Sequence, residues 1–168
     1  MHTIRLRGPW SYETLEQFAA SDALPAEPAG DIPLPCDWRT VLPEDFAGVV
    51  RFRRWFNMPT GITEEHQLWL VIDAVYDRAI VKLSDDHLAT IEPQTGRFSI
   101  DIKSRLRPRN ELVIDVAWPI AAETSPESPV SGETALDPPR GLTGLVWLAI
   151  FEPGETPQLP SPTGDAVP

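Results

Sequence analysis

Apolar and polar residues alternate with period two through much of this chain, and that spacing predicts short β-strands. Ile4-Arg5-Leu6-Arg7 alternates near the N-terminus. In residues 48–57, Val50, Phe52, Arg54 and Phe56 fall on one face, and Val49, Arg51, Arg53 and Trp55 on the other. Residues 68–72 and 79–83 are rich in β-formers and separated by a short polar stretch; Phe98, Ile100 and Ile102 alternate. Residues 112–116 make a further strand, with Asn110 at the turn before it. Residues 141–151 contain a last strand that is apolar on both faces, which predicts a central place in its sheet. Residues 11–20 break the rule: Tyr12, Leu15, Phe18 and Ala19 share a helical face and predict one short N-terminal helix. Several short strands separated by turns predict an all-β sandwich or barrel. There is no internal repeat of fixed period.

The 168 residues suit one domain, and 42% hydrophobic content is enough for a core. We expect a single sandwich domain over residues 1–152. Residues 119–140, rich in Pro, Ser, Glu and Thr, are expected as a long Pro-rich loop before the last strand. Residues 153–168 have the same composition and are expected as a mobile tail. Ten of the 19 prolines lie in residues 119–168, with seven acids and one base. The net charge is −11. An acidic body with an acidic tail argues against a nucleic-acid partner, which needs clustered Lys and Arg. No run of 18 apolar residues predicts a membrane span. No apolar leader is visible, and Cys36 is the only cysteine, so an internal disulfide is excluded and a cytoplasmic setting is the expectation.

A series of short motifs adds a resemblance. Leu6-Arg7-Gly8-Pro9-Trp10 is followed by Ile32-Pro33-Leu34-Pro35-Cys36-Asp37-Trp38, then by the run from Gly48 to Pro59 with its Arg51-Phe52-Arg53-Arg54 centre. The strand pair from Val75 to Asp85 comes next. Phe98-Ser99-Ile100-Asp101-Ile102, Leu106, and Asn110 to Val116 close the series. In this order the motifs resemble the N-terminal sugar-binding domain of family 2 glycoside hydrolases. The resemblance covers residues 4–118 and 141–151 and implies a galactose-binding-domain-like jelly roll. There are departures. The family's Asn-Gly hairpin is Ser84-Asp85 here, and the indole before it is Lys82. Asn-Gly suits a tight turn because both positions need positive φ, so Ser84-Asp85-Asp86 predicts a longer or different turn. The segment from Asp86 to Gly96 is short. These departures bear on an inherited ligand contact more than on the fold.

The family's two catalytic glutamates belong to a barrel outside the resemblance, so hydrolase activity does not carry over and the module is expected to be non-catalytic. Retaining glycosidases need two carboxyls about 5–5.5 Å apart. Glu64-Glu65 and Asp85-Asp86 are adjacent pairs in turns, where neighbours diverge. Cys36 has no base linked to it by spacing, and His66 and His87 are too isolated for a zinc site, so no metal or cofactor is expected.

Sugars bind to aromatic faces flanked by planar polar groups. Of six tryptophans, Trp69 and Trp147 lie in apolar strands, and Trp10 and Trp38 at packing positions of the resemblance. Trp55 is expected to point outward on the face of Arg51 and Arg53. It could hold a planar ligand, or pack under the helix, under the long loop or against a partner chain. Trp118 ends a strand at the loop rim. Trp55, Arg51, Arg53 and Trp118 are therefore the candidate ligand-binding residues. Arg54, facing inward, predicts a carboxylate partner among Asp73, Asp101 and Asp115. Two functions stay open: a carbohydrate-binding-like module, or an interaction module whose partner is another protein or a second copy forming a homodimer.

Overall fold

The computed structural model describes residues 1–17, 29–44, 46–93, 95–118 and 139–160. These form β1 His2–Arg5, β2 Trp10–Gln17, β3 Ala29–Ile32, β4 Gly48–Asn57, β5 Gln67–Val75, β6 Arg78–Leu83, β7 Asp86–Ile91, β8 Gly96–Asp101, β9 Arg109–Trp118 and β10 Val146–Phe151. Trp38–Thr40 and Lys103–Arg105 are single 3-10 turns. One sheet has four strands in the order β1-β10-β5-β8, the other six in the order β3-β2-β4-β9-β6-β7. All pairings are antiparallel.

The alternation explains the sandwich. Val50 and Phe52 on β4, Ile114 and Val116 on β9, and Val81 on β6 turn inward. They share one core with Leu68, Leu70 and Ile72 of β5 and Leu148 and Ile150 of β10. Each such side chain contributes about 1.5–3 kcal/mol by leaving water, so the two inner faces supply the main folding drive. Trp10 and Trp38 are fully buried in this core. Trp10 donates its indole N–H to the Leu6 carbonyl at 2.8 Å, and Trp38 meets Phe46 edge-on at 5.7 Å. β10 lies between β1 and β5, the central place that its two apolar faces predict.

Two expectations are corrected and a third is narrowed. No helix forms over residues 11–17; they belong to β2, paired with β3 on one side and β4 on the other, with Tyr12 opposite Phe52. The apparent helical spacing arises at a bulge between Thr14 and Glu16, which leaves Leu15 exposed. Phe18 and Ala19 lie outside the described residues. The β6–β7 turn, expected to be longer than or different from the Asn-Gly hairpin, is different rather than longer: Leu83 pairs directly with Asp86, and of the two turn residues only Ser84 takes a positive φ, 54°. Its amide is held by the Glu111 carbonyl of β9. Arg54 has no carboxylate partner among the described residues. It reaches the Pro9 carbonyl at 2.7 Å. Asp115 is unreachable because it lies on the outer face of β9, opposite Arg51 rather than on Arg54's inward side.

A smaller apolar cluster lies on the other side of the four-stranded sheet. Val71, Trp147, Ala149 and Phe151 are buried there, with Trp69, Leu145 and Leu159 packed against them. Residues 152–160, most of which fall in the segment expected as a mobile tail, supply part of that cover. Residues 161–168 and 119–138 of the Pro-rich segments lie outside the described residues.

Candidate functional site

The β4–β9 register sets the outer face of the six-stranded sheet. Arg51 stands opposite Asp115, Arg53 opposite Val113, and Trp55 opposite Glu111. Arg51 grips Asp115 with two bonds, Nε to Oδ1 at 2.6 Å and Nη2 to Oδ2 at 2.8 Å. Lys82 adds a contact at 3.4 Å from β6. Burial alone would raise the Asp115 pKa, but the Arg51 hydrogen bonds and charge, with Lys82, hold it below the usual carboxylate range. The same pairing raises the pKa of Arg51. Arg51 is thus already satisfied, and a ligand could reach only its edge.

Arg53 is freer. It meets the exposed Glu13 carboxylate at 3.3 Å, and its Nε is shielded with no partner among the described residues. Trp55 is 50% exposed. The guanidinium of Arg109 lies 4.7 Å from its ring centre, a cation–π stack that covers part of the indole and fixes the rest toward water. Arg109 escaped the sequence reading because the contact depends on register between strands over 50 residues apart in sequence. Beside Arg53, an open depression of about 430 Å³ is lined by Ser11, Glu13, Asp31, Arg51 and Arg53, with backbone from β2 and β3.

The fold brings Arg51, Arg53 and Trp55 onto one face, as their alternation predicts. It does not bring Trp118 to them. Trp118 closes β9 on the inward side and packs partly against the main core. Arg140 stacks over it at 5.0 Å.

A second polar group lies near Arg140 and was not seen in the sequence. Asp77, in the β5–β6 turn, is 1% exposed and accepts the Gly141 amide at 3.2 Å. Burial pushes its pKa up to about 6; the Gly141 bond and the Arg140 charge oppose this, and Asp37 reinforces it. Asp37 accepts the Arg39 amide at 2.9 Å and its Nε at 3.0 Å, and Arg140's amide at 3.4 Å. For Asp37, burial is outweighed by the Arg39 and Arg140 contacts, which lower its pKa.

The remaining candidates are dispersed. Cys36 Sγ lies 3.1 Å from Thr40 Oγ1. His66 contacts Thr63 and Glu152, and His87 contacts Thr90. Glu64, Glu65, Asp85 and Asp86 are all exposed. No group of metal-ligating side chains converges among the described residues.

Neither a scan of protein-family models nor a search of curated proteins found a match. Solved structures do match. A Bifidobacterium dentium β-glucuronidase complexed with coumarin-3-O-glucuronide superposes with a TM-score of 0.67 at 21% identity, covering 90% of this chain and 30% of its own. A Bacteroides uniformis β-glucuronidase gives 0.62 at 23%, covering 88% of this chain and 17% of its own. A rhamnosidase from Novosphingobium sp. PP1Y gives 0.60 at 22%, covering 90% and 15%. The chain therefore spans less than a third of each of these enzymes. The likeness establishes the all-β sandwich fold, which agrees with the sequence motifs.

Proposed function

We propose that this chain is a non-catalytic, carbohydrate-binding-like module that contacts its ligand through the outer face of the six-stranded sheet. The observation that carries this is the half-exposed Trp55, fixed by Arg109 and placed along β4 from Arg53 and the adjoining polar depression. An indole face offers an apolar platform for sugar C–H groups, while Arg53, Glu13, Asp31 and Ser11 offer donors and acceptors for hydroxyls. The fold likeness to part of several glycoside-cleaving enzymes supports the sugar class. Arg51 serves as scaffold through Asp115, and Trp118 lies outside the site.

The test is a titration of the protein with glucuronides, galactosides, mannosides and plant polysaccharides, followed by NMR and calorimetry. Saturable binding at millimolar sugar is expected, weakened at least tenfold in Trp55→Ala and unchanged in Trp118→Ala. A folded protein that shows no saturable binding to any of these would overturn the proposal.

One observation favours a second reading. The same sheet also exposes Leu15 and Ile80, so a flat protein surface could cover it. Sedimentation that shows a concentration-dependent dimer, abolished by Trp55→Glu, would support that reading instead.

A further inference from the structure

The other broad face of the sandwich carries a different chemistry. The middle of that face on β5 and β10 is apolar, Trp69 and Val71 beside Trp147, Ala149 and Phe151, with Gln67 and Asp73 on either side. An outer sheet face of this kind would strand large apolar area in water. It does not, because the chain turns back after β10. The turn is closed by the Glu155 amide bonding the Glu152 carbonyl at 3.0 Å, with Gly154 at φ 79°. Beyond it, burial alternates: Glu155, Pro157 and Leu159 are half-buried, while Thr156, Gln158 and Pro160 are exposed. This is an extended segment with one side laid on the sheet, yet it forms no strand with it.

Its attachments are few. Leu159 packs against the Trp147 cluster. Arg97 donates to the Pro160 carbonyl, and is itself oriented by Asp73 at 2.7 Å and by Trp147, whose ring centre lies 5.8 Å away. Asp73 also accepts the Trp147 indole N–H at 3.2 Å. The Met1 amino group meets Glu155 at 2.7 Å. The face therefore has an apolar seat for a leucine, a half-buried proline two residues before it, and a guanidinium positioned for a backbone carbonyl. Those are the elements by which extended proline-containing peptides are recognised.

We propose that the outer face of the four-stranded sheet is a binding groove for an extended peptide with proline and leucine two residues apart, and that residues 155–160 fill it in cis. The occupant in trans is a segment of the same chemistry on a partner chain. It displaces the resident segment, which has no ladder hydrogen bonds to lose and a glycine turn about which to swing away. A tethered occupant competes at an effective concentration on the order of millimolar, so the intact chain binds such a peptide weakly.

The test uses a synthetic peptide of residues 152–160, added to the full chain and to its Leu159→Glu variant. Binding is followed by calorimetry and by the NMR resonance of the Trp147 indole N–H. The variant is expected to bind the peptide saturably, with a Kd at least tenfold lower than the intact chain shows, and the indole resonance should return to its intact-chain position. A peptide that itself carries Leu159→Glu should not bind. A folded variant that binds the peptide no better than the intact chain does, or that binds both peptides equally, would overturn the proposal. If Leu159→Glu does not fold, Leu159→Ala takes its place with the same two outcomes.

Discussion

Asp77 gives a prediction with a sign and a size. Its carboxyl is almost fully enclosed and accepts a hydrogen bond from the Gly141 amide. In the unfolded chain it ionises near its ordinary value of 3.8; in the fold it keeps its proton up to about 6. A raised carboxyl pKa means that the folded state binds the proton more tightly. Stability is therefore undiminished below about pH 4, falls as pH rises from about 4 to 6, and is flat above that. Each pKa unit corresponds to about 1.4 kcal/mol, so the ionisation penalty at pH 7.5 is about 3 kcal/mol. At pH 4 it is about 0.5 kcal/mol.

Asp77→Asn removes the titration and keeps an oxygen acceptor for Gly141. The static cost of the swap is similar at every pH; the attraction to Arg140 is felt only by the ionised carboxylate and is already contained in the folded pKa. The difference between variant and wild type should therefore move by about 2–3 kcal/mol in the variant's favour between pH 4 and pH 7.5. Urea unfolding followed by tryptophan fluorescence, at matched m values, measures it directly. In thermal terms, the relative midpoint should move by roughly 2–4 °C per kcal/mol for a chain of this size. Parallel stability curves for the two proteins across that range would show that burial does not hold the Asp77 proton, and the reasoning would fail.

Two more substitutions probe the frame of the sandwich. Gly144→Ala would place a Cβ 2.1 Å from the Ala74 amide nitrogen, against backbone that cannot yield, and should cost at least about 3 kcal/mol or prevent folding; denaturant midpoints or the soluble yield decide it. Asp115→Asn should cost about 1–3 kcal/mol at pH 7 by stranding Arg51 and weakening Lys82. Because the folded Asp115 pKa is depressed, that cost should be fully present above about pH 4 and disappear as pH falls through the lowered folded value. A pH series of urea midpoints for both proteins reads this out.

How far the chain was legible depends on how local each signal is. β4 and β9 were readable because each keeps strict period two over a sheet with one core face and one wet face, so Arg51, Arg53 and Trp55 were assigned to the outer face from spacing alone. β2 was misread because one bulge at Thr14–Glu16 turns a spacing of two into a spacing of three, and three is a helical number. At Ser84-Asp85 the residue types told only that the turn departs from the Asn-Gly form; its length is set from outside, by the pairing of Leu83 with Asp86 and by the Glu111 carbonyl. Arg54 was assigned an ionic partner from burial, but sheet parity puts the nearest carboxylate, Asp115, on the wrong side. Asp77, Arg109 and the Arg97–Pro160 contact depend on pairings across the fold, which no local pattern encodes.

The two outer faces would let the proposed sugar and peptide contacts vary separately. The inner residues of both sheets are committed to the core, so any change in function without loss of fold must act on the outward positions. On the six-stranded sheet those positions are ionic and aromatic, with Asp115 clamping Arg51 and Arg109 holding Trp55, an arrangement that leaves a platform exposed to polar ligands. On the four-stranded sheet the middle positions are apolar and covered in part by the chain itself. Trp55 belongs to neither the main core nor the Trp147 cluster. The sugar titration and the peptide titration are therefore independent: loss of one in Trp55→Ala with retention of the other in the same protein is the pattern that a two-faced module requires.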